Sequence, residues 1–138
     1  MSFITDLADL EQRLGDSPFQ RFLRLHAQAF DRERGEVQLH LPFRPEYARQ
    51  EESRQVHGGV IAALIDIAGD YALAVKLGHF VPTIDLRVDF LRPAQGNLTV
   101  RAWTVRAGRS VGFVDIVVYD ADDRPVANGR GLYATRQG

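Results

Sequence analysis

The sequence predicts an α+β fold in which a five- to six-stranded antiparallel sheet wraps one long, buried helix. Three observations lead to this expectation. Residues 59–77 are apolar nearly all round, which is typical of a helix buried on most of its sides. After this helix the period of the apolar residues changes to two, the period of strands. The segments that join these strands are short and rich in turn-forming residues, which favours antiparallel pairing.

Local patterns also predict the elements before the long helix. Residues 1–26 are expected to form a helical segment, because apolar residues recur at helical spacing up to Leu14 and Pro18 suits the first position of a second, short helix. A strand is expected over 35–43, where apolar and polar residues alternate. Residues 44–56 are polar and irregular, which predicts a loop.

The second half of the chain is dominated by strand patterns. Gly78 is expected to end the long helix. Four strands then follow in the segments "IDLRVDF", "NLTVRAWTV", "VGFVDIVVY" and "RPVANGRGLYAT". Since short, turn-rich segments join them, we expect these four strands to pair in chain order as an antiparallel meander.

Length and composition limit the class of protein. A chain of 138 residues, 45% of them hydrophobic, can bury its own core, so we expect one domain over 1–138. The net charge of −1 argues against nucleic acid or a membrane surface as partner. Cysteine is absent and the histidines lack ligand spacing, so neither a metal nor a cofactor is expected. Acidic residues near the N-terminus and the short apolar runs favour a cytoplasmic protein.

One carboxylate interrupts the apolar helix. Between Val60 and Ala68 every residue except Asp66 is apolar. A carboxylate without partners in apolar surroundings is costly, so it normally neutralises or acquires hydrogen bonds. We therefore expect Asp66 to line a cleft where water and partner groups reach it.

The segment around this carboxylate, "HGGVIAALID" at 57–66, combines a histidine, two glycines and an acid eight residues after the first glycine. It resembles the signature of hotdog-fold acyl-CoA thioesterases, particularly the phenylacetate-pathway type, and the resemblance extends over 35–136. It implies acyl-CoA as the substrate and a carboxylate on the helix that helps to hydrolyse the thioester. It also implies homodimers that join two sheets edge to edge, so we expect a homodimer or a tetramer of two dimers.

The spacing of this motif bears on the oligomer. Eight residues at a rise of 1.5 Å separate Gly58 from Asp66 by roughly 12 Å along one helix, too far for both to contact one carbonyl. One chain therefore cannot complete the site. Two antiparallel helices across a twofold axis would bring Gly58 of one subunit opposite Asp66 of the other, which is the arrangement that the resemblance implies.

Thioester hydrolysis suggests a role for each residue of the motif. The backbone N–H of Gly58, with that of Gly59, can stabilise the charge on the carbonyl oxygen at a helix N-terminus. Asp66 acts either as a general base on water or as a nucleophile, and the sequence leaves both open. His57 is expected to position the loop before the helix, with a capping or core histidine as the alternative.

Two further polar residues are candidates near Asp66. Thr83 resembles the family's Ser or Thr that hydrogen-bonds the catalytic acid or its water, although threonine is also common in strands. Asp70 follows Asp66 by one helical turn, and two carboxylates this close raise the pKa of at least one. Asp70 then either assists a water or pairs with an arginine.

The substrate-binding candidates come from the loop and the strand ends. Relatives carry Asn or Gln six residues before the histidine, where this chain has Glu51, so the neighbouring Gln50 is the candidate amide. For the phosphates of CoA, Arg92, Arg106 and Arg109 lie near predicted strand ends. Exposed arginines at turns are more often simply solvated.

Three other functions compete with a thioesterase. The first is a hotdog hydratase or dehydratase that acts on enoyl thioesters, for which the sequence lacks a matching histidine element. The second is a non-catalytic acyl-CoA-binding module, against which the retained Asp66 argues, because a binder has little use for a carboxylate there. The third is a structural oligomer in which Asp66 pairs across the interface.

Overall fold

The computed structural model describes residues 3–136. The helices and strands are α1 (Leu7–Leu14), α2 (Pro18–Leu23), β1 (His26–Asp31), β2 (Glu36–Leu41), a 3-10 turn (Pro45–Tyr47), α3 (Gly58–Leu77), β3 (Thr83–Phe90), β4 (Leu98–Ala107), β5 (Val111–Tyr119) and β6 (Pro125–Ala134). None of the described helices has the length and hydrophobicity needed to cross a membrane.

The long helix α3 forms where the apolar segment predicts it. It ends at Gly78, whose φ of 86° is left-handed and whose N–H donates to the carbonyl of Ala74 at 2.8 Å. A residue without a Cβ adopts this conformation without strain, so glycine suits the C-cap. The helix buries most of its length against one face of the sheet, as its uniform hydrophobicity predicts.

All six strands pair antiparallel in one sheet of order β1-β2-β4-β5-β6-β3. The predicted meander holds for β4, β5 and β6, but it is wrong for β3, which pairs with β6. The segment after β3 does not reverse the chain. Its Ala94 carbonyl accepts the N–H of Val56 at 2.8 Å, and its Gly96 N–H donates to Arg54 at 2.9 Å. The segment therefore follows the loop before α3 and carries the chain across the sheet to β4.

The N-terminal segment contains less helix than the sequence predicts. Residues 1 and 2 lie outside the described part, α2 ends at Leu23, and His26 already begins the edge strand β1. Both helices hydrogen-bond to α3 through Tyr71, and α1 also packs beside β1. The hydroxyl of Tyr71 on α3 donates to the carbonyl of Arg13 at 2.9 Å and accepts from Gln20 at 3.0 Å.

A β-bulge lies at the start of β3. Thr83 pairs with Tyr133 of β6 and Asp85 pairs with Leu132, so Ile84 is an extra residue on β3. Side chains of a regular strand alternate between the two faces, and an extra residue shifts this alternation by one. Thr83 is thereby on the face that packs on α3, although a strict period of two would place it on the outer face with Asp85.

The bulge also explains an exposed apolar residue. Period two predicts that Ile84 faces inward with Leu86 and Val88, but Ile84 is 54% exposed, whereas the other two pack against the core. Within residues 3–136, β3 has a strand on only one side, so its outer edge is unpaired. Phe90 at its far end is 57% exposed. A bare strand edge with exposed apolar side chains is typical of a surface that pairs with another chain.

Candidate active site

Asp66 lies on a stripe of α3 that is only partly buried. This stripe also carries residues 59, 62, 63 and 70, which share one helix face because they are spaced three or four apart. The hydroxyl of Thr83 donates to Oδ1 of Asp66 at 2.6 Å. No residue in the described range donates to Oδ2, so one oxygen of the carboxylate is free for a ligand or water.

A second residue contacts Asp66 at its main chain. The hydroxyl of Tyr133 donates to the Asp66 carbonyl at 3.0 Å. Sequence reasoning missed Tyr133, because its strand pattern gives only its face and says nothing of which helix residue it meets. Thr83 was predicted from the family resemblance alone. The bulge that directs the Thr83 side chain toward α3 cannot be recognised from the alternation of residues in the strand.

The imidazole of His57 caps the N-terminus of α3. Its Nδ1 accepts the N–H of Gly59 at 2.8 Å, which requires the ring proton to be on Nε2. In this structure the Gly59 N–H is therefore taken by His57, and its contact with the substrate oxygen stays a prediction. The N–H of Gly58 has no acceptor among the residues that the structure describes, so it remains the available donor at this helix end.

A cavity of about 360 Å³ adjoins Gly58. A Cβ on Gly58 would lie 3.4 Å from the ring of Phe90, so the glycine backbone borders the cavity directly. The other lining residues are Arg49, Gln55, Val56, Ile61, Leu91, Arg92, Pro93 and Ala94. Cations and an amide therefore lie within reach of a polar ligand that enters beside the Gly58 N–H.

The amide beside Gly58 is not the predicted one. Gln50 is exposed at a turn and lines a separate concavity with Glu51, whereas Gln55 lines the Gly58 cavity. A turn between the two, in which the Gln50 carbonyl accepts the N–H of Ser53 at 3.2 Å, separates their side chains. Counting residues back from the histidine does not reveal this turn. Arg49 is a second cavity residue that the sequence did not single out.

Two of the three predicted arginines, Arg92 and Arg109, lie at opposite ends of β3. Arg92 follows β3 and lines the Gly58 cavity. Arg109 is in the β4–β5 turn, which lies near the start of β3: the carbonyl of Ser110 accepts the N–H of Thr135 at 2.9 Å, and the carbonyl of Pro82 accepts the N–H of Ala134 at 2.9 Å. One chain therefore does not bring Arg92 and Arg109 together.

Asp70 is mostly buried one turn after Asp66. Its Oδ1 accepts the N–H of Val81 at 3.0 Å, which holds the chain between α3 and β3. Burial raises the pKa of Asp70 to about 6, and the charge of Asp66 adds to this effect. The predicted rise in one of the two carboxyl pKa values is thus present, on Asp70. The alternative of an arginine partner is wrong within residues 3–136, where Asp70 forms no ion pair.

We expect Asp70→Asn to stabilise the protein at neutral pH. The pKa of Asp70 is raised on folding, so the wild type loses stability as the pH rises from about 4 to about 6, where the buried group ionises. The shift corresponds to about 3 kcal/mol above pH 6. Asparagine keeps an oxygen for the Val81 N–H and has no charge. Urea unfolding of both proteins between pH 4 and pH 8 should show a difference that grows with pH and then levels off.

Asp122→Asn is the matched control for this experiment. Asp122 is exposed in the β5–β6 turn, and its side chain has no hydrogen-bond partner among the described residues. Its substitution should change the free energy of unfolding by a few tenths of a kcal/mol at any pH. A constant difference between wild type and Asp70→Asn across the pH range would contradict the expectation.

The comparisons with known proteins identify the family. The sequence profile described as the thioesterase superfamily matches residues 55–127, more than half of the chain. A Halobacterium salinarum protein with a provisional esterase name is 39% identical over 110 residues, which span 72% of this chain and 73% of that protein. The chain therefore belongs to the thioesterase superfamily, and its helix wrapped by an antiparallel sheet is the hotdog fold.

Two further relatives extend the match over most of the chain. The medium/long-chain acyl-CoA thioesterase YigI of Salmonella typhimurium is 29% identical over 133 residues, with 84% of each chain covered. An X-ray structure of a thioesterase superfamily protein superposes with a TM-score of 0.85 and 36% identity, and covers 94% of this chain and 98% of that one. This chain is thus a hydrolase of the thioesterase type, and its phenylacetate-pathway subtype stays a prediction.

Proposed function

We propose that the protein is an acyl-CoA thioesterase that hydrolyses an acyl or aryl thioester to the free acid and CoA. The observation that carries the proposal is a pair of groups on α3 that have no hydrogen-bond partner among residues 3–136. They are the N–H of Gly58 and Oδ2 of Asp66, whose Oδ1 accepts the Thr83 hydroxyl. Acyl transfer needs a donor that stabilises the oxyanion and a group that activates or supplies the nucleophile, and an N–H at a helix N-terminus and a carboxylate can fill these two roles. The name of the Salmonella relative supports acyl-CoA as the substrate class.

The active unit in this proposal is a dimer. Gly58 and Asp66 are separated by eight residues of one helix, roughly 12 Å, so they do not act on the same carbonyl within one chain. The unpaired edge of β3 lies beside the partly buried stripe of α3 and supports a twofold contact at this edge. Each of the two equivalent sites then combines Gly58 of one protomer with Asp66 and Thr83 of the other.

The reaction follows from these positions. The thioester carbonyl oxygen accepts the Gly58 N–H, which stabilises the negative charge as the carbonyl carbon becomes tetrahedral. Asp66 either removes a proton from the attacking water or attacks the carbon itself to form an anhydride that water then cleaves. The C–S bond breaks and the electron pair leaves with the CoA thiolate. In either route Thr83 fixes the reacting carboxylate by donating to Oδ1.

We also propose that the CoA arm enters by the Gly58 cavity. Arg49 and Arg92 line it and supply cations for the phosphates, and Gln55 supplies an amide for the carbonyl or a water. Arg109 lies at the opposite end of β3, so it contributes to this site only from the second protomer. Gln50 and Asp70 stay outside this cavity in the described structure, and we give them no contact with the substrate.

Subunit complementation tests the proposal. Wild type is first assayed for thiol release on CoA esters of short, medium, long and phenylacetyl groups. Asp66→Ala and Gly58→Pro are then prepared separately and co-expressed with different affinity tags. Each variant alone should be inactive. A mixed dimer has one site with both defects and one intact site, so a random mixture should recover about a quarter of wild-type activity.

Two results would contradict the proposed activity, and a third would contradict the dimeric site. Wild type that binds acyl-CoA tightly but releases no thiol from any ester would make the protein a binding module. Conversion of an enoyl-CoA without loss of CoA would make it a hydratase. If thiol release occurs but the tagged mixed dimers are inactive, Gly58 and Asp66 act within one chain and the dimeric site is wrong.

A further inference from the structure

We propose that Tyr133 is a positioning residue for Asp66, and that Tyr133 and Thr83 together fix the helix residue at both its main chain and its side chain. The hydroxyl of Tyr133 donates to the Asp66 carbonyl at 3.0 Å, and the hydroxyl of Thr83 donates to the Asp66 carboxylate at 2.6 Å. The inference rests on the proposed function in one respect, since it takes Asp66 as the reacting carboxylate.

The two hydroxyls come from one rung of the sheet. Thr83 of β3 is directly opposite Tyr133 of β6, and paired residues of antiparallel strands present their side chains on the same face. Only the bulge at Ile84 puts Thr83 on that face. The bulge and the cross-strand pair thus work together. Thr83 of the edge strand β3 binds the Asp66 carboxylate, and Tyr133 of the neighbouring strand β6 binds the Asp66 main chain.

Two glycines make room for the tyrosine. A Cβ at Gly69 of α3 or at Gly131 of β6 would overlap the Tyr133 ring or its hydroxyl. The ring is fully buried and sits between helix and sheet with no space to shift toward either glycine. This close packing sets the distance between α3 and β6 at the helical turn that carries Asp66, because a larger residue at Gly69 or Gly131 would push the helix away from the strand.

The hydroxyl is a permanent donor. Burial raises the pKa of Tyr133 well above its usual range, and the charge of Asp66 adds to the effect, so the phenol stays protonated at any working pH. A displacement of about 1 Å at a reacting group can cost about 100-fold in rate. Loss of this hydrogen bond should therefore affect the chemical step rather than substrate binding, because Tyr133 is buried behind Asp66 and has no exposed surface to contact substrate.

Tyr133→Phe tests the proposal, with Tyr71→Phe as the matched control. Both tyrosines are almost fully buried and both donate to a main-chain carbonyl, but Tyr71 bonds to Arg13 on the opposite side of α3. Tyr133→Phe should lower kcat about 10-fold or more, with KM within about 2-fold of wild type. Tyr71→Phe should lose similar thermal stability and keep wild-type kcat. Crystal structures of both variants should show the Thr83–Asp66 hydrogen bond broken only in Tyr133→Phe.

A second variant and the structural readout keep the test decisive. Gly69→Ala leaves Tyr133 and Asp66 chemically intact but displaces the ring, so it should reproduce the loss in kcat if Tyr133→Phe does not fold. Equal kcat losses in Tyr133→Phe and Tyr71→Phe, or an unmoved Asp66 carboxylate with normal kcat in Tyr133→Phe, would overturn the proposal. If wild type hydrolyses no acyl-CoA, the proposed function fails, and the crystal structures alone decide whether Tyr133 positions Asp66.

Discussion

Asp66→Asn should lower kcat for thiol release roughly 10³-fold while the fold is preserved. Asparagine has the shape of aspartate, and its amide oxygen can still accept the Thr83 hydroxyl that the carboxylate accepts at 2.6 Å. It can neither take a proton from water nor attack a carbonyl, so both candidate routes fail. The measurement is steady-state thiol release with the acyl-CoA that wild type hydrolyses best, with circular dichroism and thermal unfolding on the same samples.

Asp122→Asn again serves as the control, since it removes an exposed aspartate of the β5–β6 turn, which is not part of the helix stripe, and should leave kcat unchanged. Binding of the substrate to Asp66→Asn should persist, because the Gly58 cavity is intact. Retention of more than about a tenth of wild-type kcat in Asp66→Asn would exclude Asp66 as base and as nucleophile, since general acid–base groups contribute at least 10²-fold.

Gly58→Pro should lower kcat by about 10² to 10³, the loss typical of removing one oxyanion donor. Proline deletes the N–H and nothing else of importance. It is favoured at the first position of a helix, and His57, with φ −60° and ψ 137°, already has the conformation that precedes a proline. The Cβ of the proline would lie 3.4 Å from the Phe90 ring, an ordinary contact distance.

Gly58→Ala separates the donor from the added bulk. It brings the same Cβ against Phe90 but keeps the N–H, so its kcat should be close to that of wild type while Gly58→Pro is impaired. The comparison uses thiol release at saturating substrate, together with KM, for both variants. Equal losses in the two would mean that crowding of the cavity, and not the hydrogen bond, accounts for the effect.

The sequence predicts those parts of the fold that depend on local pattern. The apolar run fixes α3 and its end at Gly78, and period two finds the strands that follow. The pairing of β3 with β6 was not predictable, because turn-forming residues show where a chain bends and not how far it then travels. The edge strand β1 was also missed, since its start at His26 carries no strong alternation.

The residues of the candidate site also fall into two groups, those with a local signal in the sequence and those that depend on the three-dimensional fold. Asp66 and Gly58 are visible in the sequence, because a lone carboxylate and a glycine at a helix start are local signals. Tyr133 depends on the register between two strands 50 residues apart in the chain, and the side-chain direction of Thr83 depends on one inserted residue, Ile84. The occupied N–H of Gly59 was likewise unpredictable, because it depends on which ring nitrogen of His57 faces the helix.

The glycine beneath Tyr133 limits how this protein can be engineered for heat resistance. On helix propensity alone, alanine at Gly69 promises a gain of about 1 kcal/mol, and a designer who replaces glycines inside helices would choose it early. The added methyl would instead overlap the tyrosine hydroxyl. Glycine at position 69 therefore lowers the intrinsic stability of the longest helix, but it leaves the space that the Tyr133 hydroxyl occupies beside Asp66.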